Sequence, residues 1–199
     1  MFITFEGIDN SGKTTAAKAL VRSLNILGYE AIFTREPGGT KIGEQLRQLV
    51  LNNNELSQDT RALILNAVRI EHVETVIKPA LEDNKIVVCD RYIDSTVAYQ
   101  YAQGWDMDVI HNLNYITTKQ GKYMPDLTFW LDIPVEVAQS REDDGISFNA
   151  NTEYLRQVNN NYKWWSECNM SRIKRIDATE NEITVNKLIW LVVAQELGI

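Results

Sequence analysis

The sequence predicts an α/β protein in which helices cover both faces of a parallel β-sheet. Two observations lead to this fold class. Short apolar runs alternate along the chain with longer segments whose apolar residues recur at helical spacing. A glycine-rich loop also joins the first apolar run to the first helical segment. This alternation is typical of parallel strands that are connected by helices.

The first strand and the first helix are the clearest elements. "FITFE" at residues 2–6 is a mostly apolar run, as expected for a strand that is buried on both faces. After the glycine-rich loop, one face of a helix is marked by Ala17, Leu20, Val21, Leu24 and Leu27. Gly28 is placed to end this helix.

Four further runs predict the remaining strands: "EAIFT", "KIVVCD", "DLTFWLD" and "RIKRID". Helical segments separate them, and a last helix runs through Leu188, Ile189 and Val192. The least regular stretches, "REPGGTK" and "REDDGISFNANT", are rich in turn formers. Ligands of open α/β sheets bind where loops leave the carboxyl ends of the strands. We therefore expect a short lid at residues 141–152.

Composition limits the class of protein. With 199 residues, of which 44% are hydrophobic, the chain 1–199 is predicted to form one domain. The net charge of −7 argues against a nucleic-acid surface. Cys89 and Cys168 are expected to be reduced thiols. The sequence shows no membrane span and no signal sequence, so we expect a cytoplasmic protein without a membrane partner.

The loop "GIDNSGKT" matches the phosphate-loop spacing of glycine, four residues, glycine, lysine and threonine. Gly7 and Gly12 let the backbone turn its N–H groups inward around a polyphosphate. Lys13 is placed to lie between the β- and γ-phosphates, and Thr14 to offer its hydroxyl to Mg²⁺. The helix that follows points its N-terminus at the anion. The alternative is a glycine turn that matches the spacing by chance.

Three classes of protein share this loop: GTP-hydrolysing switches, motor-like or transporter ATPases, and small kinases. A switch needs a guanine-reading Asn-Lys-x-Asp motif, and the nearest candidate, "TKQG" at residues 118–121, lacks the aspartate. A motor-like ATPase is usually larger and has a partner to move, and the sequence leaves that class open.

"CDRY" ends the third predicted strand and points to a second acidic motif. A carboxylate at the tip of a buried strand beside a phosphate loop can hold Mg²⁺ through water, which is the role that we predict for Asp90. The neighbouring Arg91 then faces the same cleft, where its guanidinium can bind a phosphate with two hydrogen bonds. The alternative is a strand-end turn with a surface ion pair.

Five segments, in this order and at these intervals, resemble the thymidylate kinase (dTMP kinase) family, its bacterial form in particular: "FEGIDNSGKTT", "TREPGGTKIGEQLR", "DRYIDSTVAYQ", "MPDLTFWLDIPVEVA" and "IDATENE". The resemblance covers nearly the whole chain. It implies a P-loop kinase with a five-stranded parallel sheet in a three-layer α/β/α arrangement. It also implies transfer of the γ-phosphate of ATP to dTMP, with Mg²⁺ as cofactor, and a homodimer.

The resemblance also implies site residues. The residues that would bind ATP are Gly7, Asn10, Ser11, Gly12, Lys13, Thr14, Thr15, Arg141, Ala178 and Thr179. The residues that would bind dTMP are Asp9, Glu36, Pro37, Arg47, Leu65, Val68, Arg69, Arg91, Ser95, Thr96, Tyr99 and Gln100. In this interpretation Asp9 reaches the 3′-hydroxyl or a metal-bound water, Arg47 and Arg91 hold the monophosphate, and Arg69 donates to a thymine carbonyl. For Tyr99, packing in the core is the alternative.

The acceptor determines the expected mechanism. The second pKa of a phosphate monoester is about 6, so the acceptor is mostly a dianion near neutral pH and needs no general base. We therefore interpret His72 and His111 as surface residues or as core residues whose hydrogen bonds are satisfied. Catalysis is expected from alignment and from the positive charge of Lys13, Mg²⁺ and Arg91.

The base pocket departs from the family pattern. Most relatives stack the thymine on a Phe four residues before the base-reading arginine, where this chain has Leu65, and the residue just before that arginine is Val68. Two alternatives to dTMP kinase therefore stay open. One is a kinase for dUMP or a 5-substituted dUMP, and the other is a weakly active nucleotide-binding module.

The second departure concerns charge. Family members carry an extra catalytic arginine in the phosphate loop or in the lid, but the loop position here is Asn10. Arg141 or Arg156 could replace it, and we predict a catalytic role for Arg141, with adenine packing or an ion pair with Glu142 or Asp143 as the alternative. The aromatic residues of the next helix are interpreted as core or dimer surface: Tyr154, Tyr162, Trp164 and Trp165.

Overall fold

The computed structural model describes residues 1–141 and 151–199. Its strands are β1 (Phe2–Glu6), β2 (Ala31–Arg35), β3 (Ile86–Asp90), β4 (Leu127–Asp132) and β5 (Ile173–Asp177). They form one sheet in the order β2-β3-β1-β4-β5, and each neighbouring pair is parallel. The predicted five-stranded parallel sheet is confirmed, and the strands begin and end close to the five apolar runs.

Helices flank this sheet. They are α1 (Lys13–Ile26), α2 (Lys41–Asn52), α3 (Gln58–His72), α4 (Lys78–Glu82), α5 (Ile93–Ala102), α6 (Met107–Thr117), α7 (Val135–Ser140), α8 (Thr152–Cys168) and α9 (Glu182–Leu197). A π-helical turn, Val73–Ile77, joins α3 to α4. The first helix ends as predicted, because Gly28 follows it with a φ of 88° that favours glycine.

The strand order places two predicted motifs side by side. The chain leaves β1 toward β3 and β2 on one side and reaches β4 and β5 on the other, so the direction of winding changes at β1. Phe5 pairs with Asp90 in the register of β1 and β3. The phosphate loop after β1 therefore emerges next to Asp90 and Arg91, at the carboxyl edge of the sheet.

Both faces of the central strands are buried. Ile3 and Phe5 contact a core that includes Leu20 and Leu24 of α1. The alternate residue Phe2 lies in a second core on the other side, with Tyr92. Burial on both faces explains why β1 and β3 read as mostly apolar runs rather than as alternating sequences.

Three further predictions can be compared with the fold. Cys89 is buried, Cys168 is exposed, and both are free thiols. No helix in residues 1–141 and 151–199 is long and apolar enough to span a membrane. The predicted lid, residues 141–152, falls largely on residues 142–150, which lie outside the described residues. The single-domain interpretation stays a prediction.

Candidate active site

The phosphate loop takes a shape that only glycine allows at two positions. Gly7 has a φ of 140°, and a Cβ there would lie 2.6 Å from the carbonyl oxygen of Leu131. Gly12 has a φ of 91° and immediately precedes α1. Residues with a side chain rarely adopt positive φ angles of this size, so a side chain at either position would strain the loop. The loop and the N-terminus of α1 together form a site for an anion.

Lys13 is the first residue of α1 and is buried. Its Nζ donates to the Ile8 carbonyl at 2.6 Å and to Ser11 Oγ at 3.3 Å. Burial, together with the charge of Arg91, lowers the pKa of Lys13 to about 8, although Asp90 and Asp9 oppose this shift. The nearby carboxylates thus do not fully offset the burial of the ammonium, and a bound polyphosphate would supply further negative charge.

Thr14 and Asp90 meet beside the loop. The Thr14 hydroxyl donates to Asp90 Oδ2. The other carboxylate oxygen, Asp90 Oδ1, is buried and has no hydrogen-bond partner among the described residues. A buried, unpartnered carboxylate oxygen next to a hydroxyl fits Mg²⁺, which prefers oxygen ligands and keeps several waters. The residues present thus fit the cation that the sequence predicts.

Arg91 is held in a left-handed conformation, with a φ of 68°. Its guanidinium donates to the Gly7 carbonyl at 3.0 Å and pairs with Asp9. The guanidinium carbon also lies 5.4 Å from the centroid of the Tyr99 ring. These contacts place Arg91 between the phosphate loop and α5.

Glu6, which sequence reasoning missed, supports the turn that carries Arg91. Its carboxylate accepts hydrogen bonds from the Tyr92 N–H at 2.7 Å, the Ser95 N–H at 3.2 Å and the Ser95 hydroxyl at 2.6 Å. The Tyr162 hydroxyl of α8 donates to it at 2.8 Å. Burial, with a contribution from Asp94, raises the pKa of Glu6 to about 7. An acidic residue at the end of an apolar strand was the available signal.

Two more guanidinium groups lie near Arg91. Arg47 of α2 donates to the Pro37 carbonyl at 3.0 Å, and burial together with Arg35 lowers its pKa. Arg35 pairs with Glu44 at 3.0 Å. Sequence reasoning missed Arg35, although "TREPGG" contains it. Three arginines in one cleft can bind phosphate groups through charge-assisted hydrogen bonds.

Arg69 of α3 is buried, and most of its donors are already used. Nε donates to Glu36 Oε2 at 2.7 Å, Nη1 to Thr96 Oγ1 at 2.7 Å, and Nη2 to the Tyr92 carbonyl at 2.8 Å. Asn66 and Asn114 lie 3.5 and 3.4 Å from Nη1. A guanidinium has five N–H groups, so one on Nη2 has no acceptor among the described residues.

Two cavities border these groups. The first, of about 650 Å³, is lined by the predicted residues Glu36, Pro37, Leu65, Arg69, Arg91, Ser95, Thr96, Tyr99 and Gln100. The second, of about 630 Å³, is lined by the predicted residues Asp9, Asn10, Ser11, Gly12, Lys13, Thr14, Thr15, Arg47, Asp90, Arg91, Arg141 and Ala178. Glu36 and Arg91 line both cavities, so the two meet at these residues.

Three predicted residues line neither cavity. Val68 is fully buried. Thr179 lies on the surface, and its hydroxyl donates to Asp177 at 2.6 Å. Gly7 acts through the shape of the loop. The contacts of Val68 and Thr179 with a nucleotide therefore stay predictions.

The structure adds lining residues on the helices. Arg61 of α3 borders the first cavity and precedes Leu65 and Arg69 by four and eight residues. This helical spacing could have identified it. Tyr154 also lines the first cavity, whereas sequence reasoning assigned it to packing. Its hydroxyl accepts from Gln103 at 3.0 Å and donates to the Tyr99 carbonyl at 3.2 Å.

The other aromatic residues of α8 pack as predicted. Tyr162 belongs to the core, Trp165 donates to Asp94 at 2.7 Å, and Trp164 is 40% exposed and stacks on Tyr101.

Arg141 and Arg156 lie in different places. Arg141 donates to the Asn10 carbonyl at 3.2 Å and to the Ala178 carbonyl at 2.7 Å, and it lines the second cavity. Arg156 pairs with Glu136 at 2.7 Å on the exposed surface. Arg141 is thus the one of the two that faces the phosphate loop. Glu142 and Asp143, its alternative partners, lie outside the described residues.

The two histidines agree with the prediction. His72 is fully buried, and both of its ring nitrogens have partners, Glu36 at 3.1 Å and Thr34 at 2.6 Å. His111 is exposed beside the Trp165 ring.

Comparison with known proteins supports the same interpretation. The thymidylate kinase family matches residues 5–189. A thymidylate kinase of Trichodesmium erythraeum is 42% identical to the chain over 98% of the chain and 96% of the relative. A thymidylate kinase of Synechococcus sp. (strain JA-3-3Ab) is also 42% identical, over 99% of the chain and 97% of the relative.

A solved structure agrees as well. The crystal structure of thymidylate kinase from Ehrlichia chaffeensis superposes with a TM-score of 0.80 and 34% sequence identity, and the match covers 96% of this chain and 98% of that one. Fold, motifs and relatives thus agree over nearly the whole length, and the chain belongs to the thymidylate kinase family.

Proposed function

We propose that the chain transfers the γ-phosphate of ATP to dTMP and releases dTDP and ADP. The observation that carries this proposal is the meeting of the two cavities at Glu36 and Arg91. A kinase must bring a donor phosphate and an acceptor phosphate to one place, and two pockets that share an arginine provide it.

On the donor side, the phosphate loop would bind the polyphosphate of ATP. Lys13 would neutralise its charge, and the approach of the phosphates would restore the pKa of Lys13 toward its ordinary value. Thr14 and Asp90 would hold Mg²⁺, which when bound supplies positive charge to the phosphate oxygens. Arg141 would close this pocket between Asn10 and Ala178.

On the acceptor side, Arg47 and Arg91 would bind the monophosphate, and Asp9, which pairs with Arg91, would lie at the sugar. Thr96, Tyr99 and Gln100 would line the deoxyribose and the base. Glu36 and Pro37 would border both groups, and Ser95 would fix the α5 turn through Glu6. Leu65 would contact the base face.

Arg69 gives the acceptor pocket a preference for one kind of base. Its one remaining N–H can donate to an acceptor atom and cannot receive a hydrogen bond. Thymine and uracil present a carbonyl oxygen at C4, whereas cytosine presents an amino group. We therefore infer selection of thymine or uracil over cytosine. Leu65 supplies apolar contact that a 5-methyl group can use.

Catalysis follows from position and charge. The acceptor is already a dianion near neutral pH, so no side chain has to remove a proton. Arg91 is held by Gly7 and Asp9 at the junction, where it can stabilise charge on the transferring phosphoryl group. Its fixed orientation means that little reorganisation is needed during transfer.

Coupled measurement of ADP formation with dTMP, dUMP, dCMP, dAMP and dGMP tests this function. We expect dTMP to give the highest kcat/KM, dUMP a lower one, and dCMP and the purines rates near background. Faster turnover of dUMP would favour the alternative kinase. ADP formation at background with every acceptor would favour a nucleotide-binding module. Lys13→Ala serves as the inactive control.

The homodimer that the resemblance implies is also a proposal. Helix α3 exposes Leu63 (53%) and Ile70 (37%), which lie seven residues apart on one face. A second copy of the chain could cover this face. Light scattering should give a mass near twice 22.8 kDa, and Leu63→Lys combined with Ile70→Lys should lower it. A monomeric wild-type protein would refute the dimer without affecting the proposed reaction.

A further inference from the structure

We propose that His72 is a positioning residue of the acceptor site, which fixes the Glu36 carboxylate and thereby the direction of the Arg69 guanidinium. The proposal rests on the proposed function, since it concerns the pocket assigned to the acceptor. The expected mechanism gives His72 no role in proton transfer, yet His72 is completely buried beside two charged side chains of that pocket.

A chain of four polar side chains connects β2 to the base-reading arginine. His72 Nε2 lies 2.6 Å from Thr34 Oγ1, and Nδ1 lies 3.1 Å from Glu36 Oε1. The other oxygen of Glu36, Oε2, accepts from Arg69 Nε at 2.7 Å. Each carboxylate oxygen of Glu36 thus has its own donor. Arg69 binds Oε2, and His72 binds Oε1.

The Glu36 contact requires a hydrogen on Nδ1 of the imidazole. The Glu36 carboxylate can only accept, so Nδ1 carries the hydrogen and donates to it. Nε2 shares the second hydrogen bond with the Thr34 hydroxyl, which can donate or accept. This arrangement gives a partner to both ring nitrogens and to both oxygens of Glu36. Histidine suits this position because one ring holds two nitrogens at a fixed separation.

The local chain geometry explains why this side chain reaches Glu36. His72 and Arg69 lie three residues apart on α3 and share one face of the helix. The glycine-rich loop after Glu36 closes over the imidazole, and a Cβ on Gly39 would lie 2.6 Å from Nε2. One turn of α3 thus carries both the arginine that reads the base and the histidine that anchors its partner.

Loss of the Nδ1 donor would free one side of Glu36. The carboxylate could then rotate toward Arg91, since Glu36 also borders the cavity that Arg91 lines. Rotation would turn the Arg69 guanidinium away from the Tyr92 carbonyl and Thr96. The effect should fall on binding of the acceptor rather than on the donor or on the chemical step.

Three substitutions separate positioning from packing. His72→Asn keeps an amide N–H near the place of Nδ1, His72→Gln moves that amide to the place of Nε2, and His72→Leu removes both polar groups. We expect His72→Leu and His72→Gln to raise the KM for dTMP about tenfold, with kcat and the KM for ATP within about twofold of wild type. His72→Asn should stay within about threefold of wild type for all constants.

The controls keep the outcomes distinct. The exposed His111→Leu should leave every constant unchanged. Thermal melting identifies variants that fail to fold, and if His72→Leu does so, the comparison of His72→Asn with His72→Gln decides. Equal dTMP KM values for these two, or a parallel rise in the KM for ATP, would overturn the positioning role. Wild-type turnover of dTMP in the same assay tests the proposed function separately.

Discussion

The two pockets of this protein are built in different ways. The donor pocket is formed mainly by the contiguous loop from Gly7 to Thr14. Some of its polar groups lack a hydrogen-bond partner or a full counter-charge within the part of the chain that the structure describes. Asp90 Oδ1 has no partner among the described residues, and burial lowers the pKa of Lys13 to about 8. The acceptor pocket collects side chains from the loop after β2 and from α3, α5 and α8, and these side chains already bind one another.

This difference suggests that the donor pocket mainly promotes phosphoryl transfer and that the acceptor pocket mainly selects the acceptor. A group that lacks a counter-charge gains most when the phosphates arrive, so donor-side residues should contribute to transfer. A group that the protein already holds, such as Arg69, loses little freedom on binding and presents a fixed pattern of donors. Substitutions in the donor pocket should thus lower kcat, and substitutions in the acceptor pocket should change the acceptor KM.

Lys13→Ala gives the largest expected effect. Removal of the ammonium from the phosphate loop should lower kcat by about 10³-fold or more, because its charge is needed most when the phosphoryl group transfers. Steady-state ADP formation measures this loss. The exposed Lys41→Ala is the matched control and should behave as wild type. Near-normal turnover by a folded Lys13→Ala protein would refute the kinase assignment.

Arg141→Ala tests whether the donor pocket contains a further catalytic cation beside Lys13 and Arg91. Arg141 joins the phosphate loop to the turn at Ala178, so its loss should lower kcat at least about tenfold with less than about threefold change in the KM for ATP. Arg156→Ala, which breaks a surface ion pair with Glu136, should change neither constant. An unchanged kcat with a raised KM for ATP would reduce Arg141 to an adenine-binding residue.

The pH dependence of ATP affinity should reveal the unpaired charge of Lys13. Its pKa is about 8 in the free protein, and bound phosphate favours the charged form, so the bound pKa is higher. Between about pH 7 and 8, where ATP has lost its last phosphate proton and Lys13 is still charged, affinity should change little, and above pH 8 it should fall by up to about tenfold per unit. Calorimetry in two buffers at pH 8.5 should detect proton uptake on binding. Lys13→Ala should show none, and equal heats for the wild type would contradict the predicted shift.

Leu65→Phe is the mildest change and sharpens the role of the acceptor pocket. An aromatic ring at this position should stack on the base and improve dTMP binding by about 1 kcal/mol, with kcat nearly constant. Ile26→Phe, at the exposed end of α1 and outside both cavities, is the control. The dTMP dissociation constant measures the effect. Weaker binding of dTMP by Leu65→Phe would show that the side chain at position 65 does not contact the face of the base.

The sequence predicts the donor loop better than the acceptor pocket, because the loop is formed by residues that are neighbours in the chain. Gly7, Gly12, Lys13 and Thr14 form a site through chain neighbours, so their spacing alone specifies the donor loop. The central strands β1, β3 and β4 were also predictable, because burial on both faces leaves apolar runs.

The acceptor pocket was harder to predict, because its contacts join distant parts of the chain. Tyr154 reaches Tyr99, Glu6 supports the turn at Tyr92, and His72 reaches Glu36 only after the sheet and α3 have packed. Val68 adjoins Arg69 in sequence, yet it is fully buried and lines neither cavity, so its contact with the base stays a prediction. Sequence proximity thus groups the residues of the phosphate loop, whereas the residues of the first cavity come together only in the folded chain, and the binding roles of both sets stay predictions.

Calorimetric titration of dTMP into Lys13→Ala tests the separation of the two pockets most directly. If the acceptor pocket is preformed by its own side chains, the variant should bind dTMP with a dissociation constant within about threefold of wild type while transfer is lost. Loss of dTMP binding together with transfer, in a variant that melts like wild type, would contradict it.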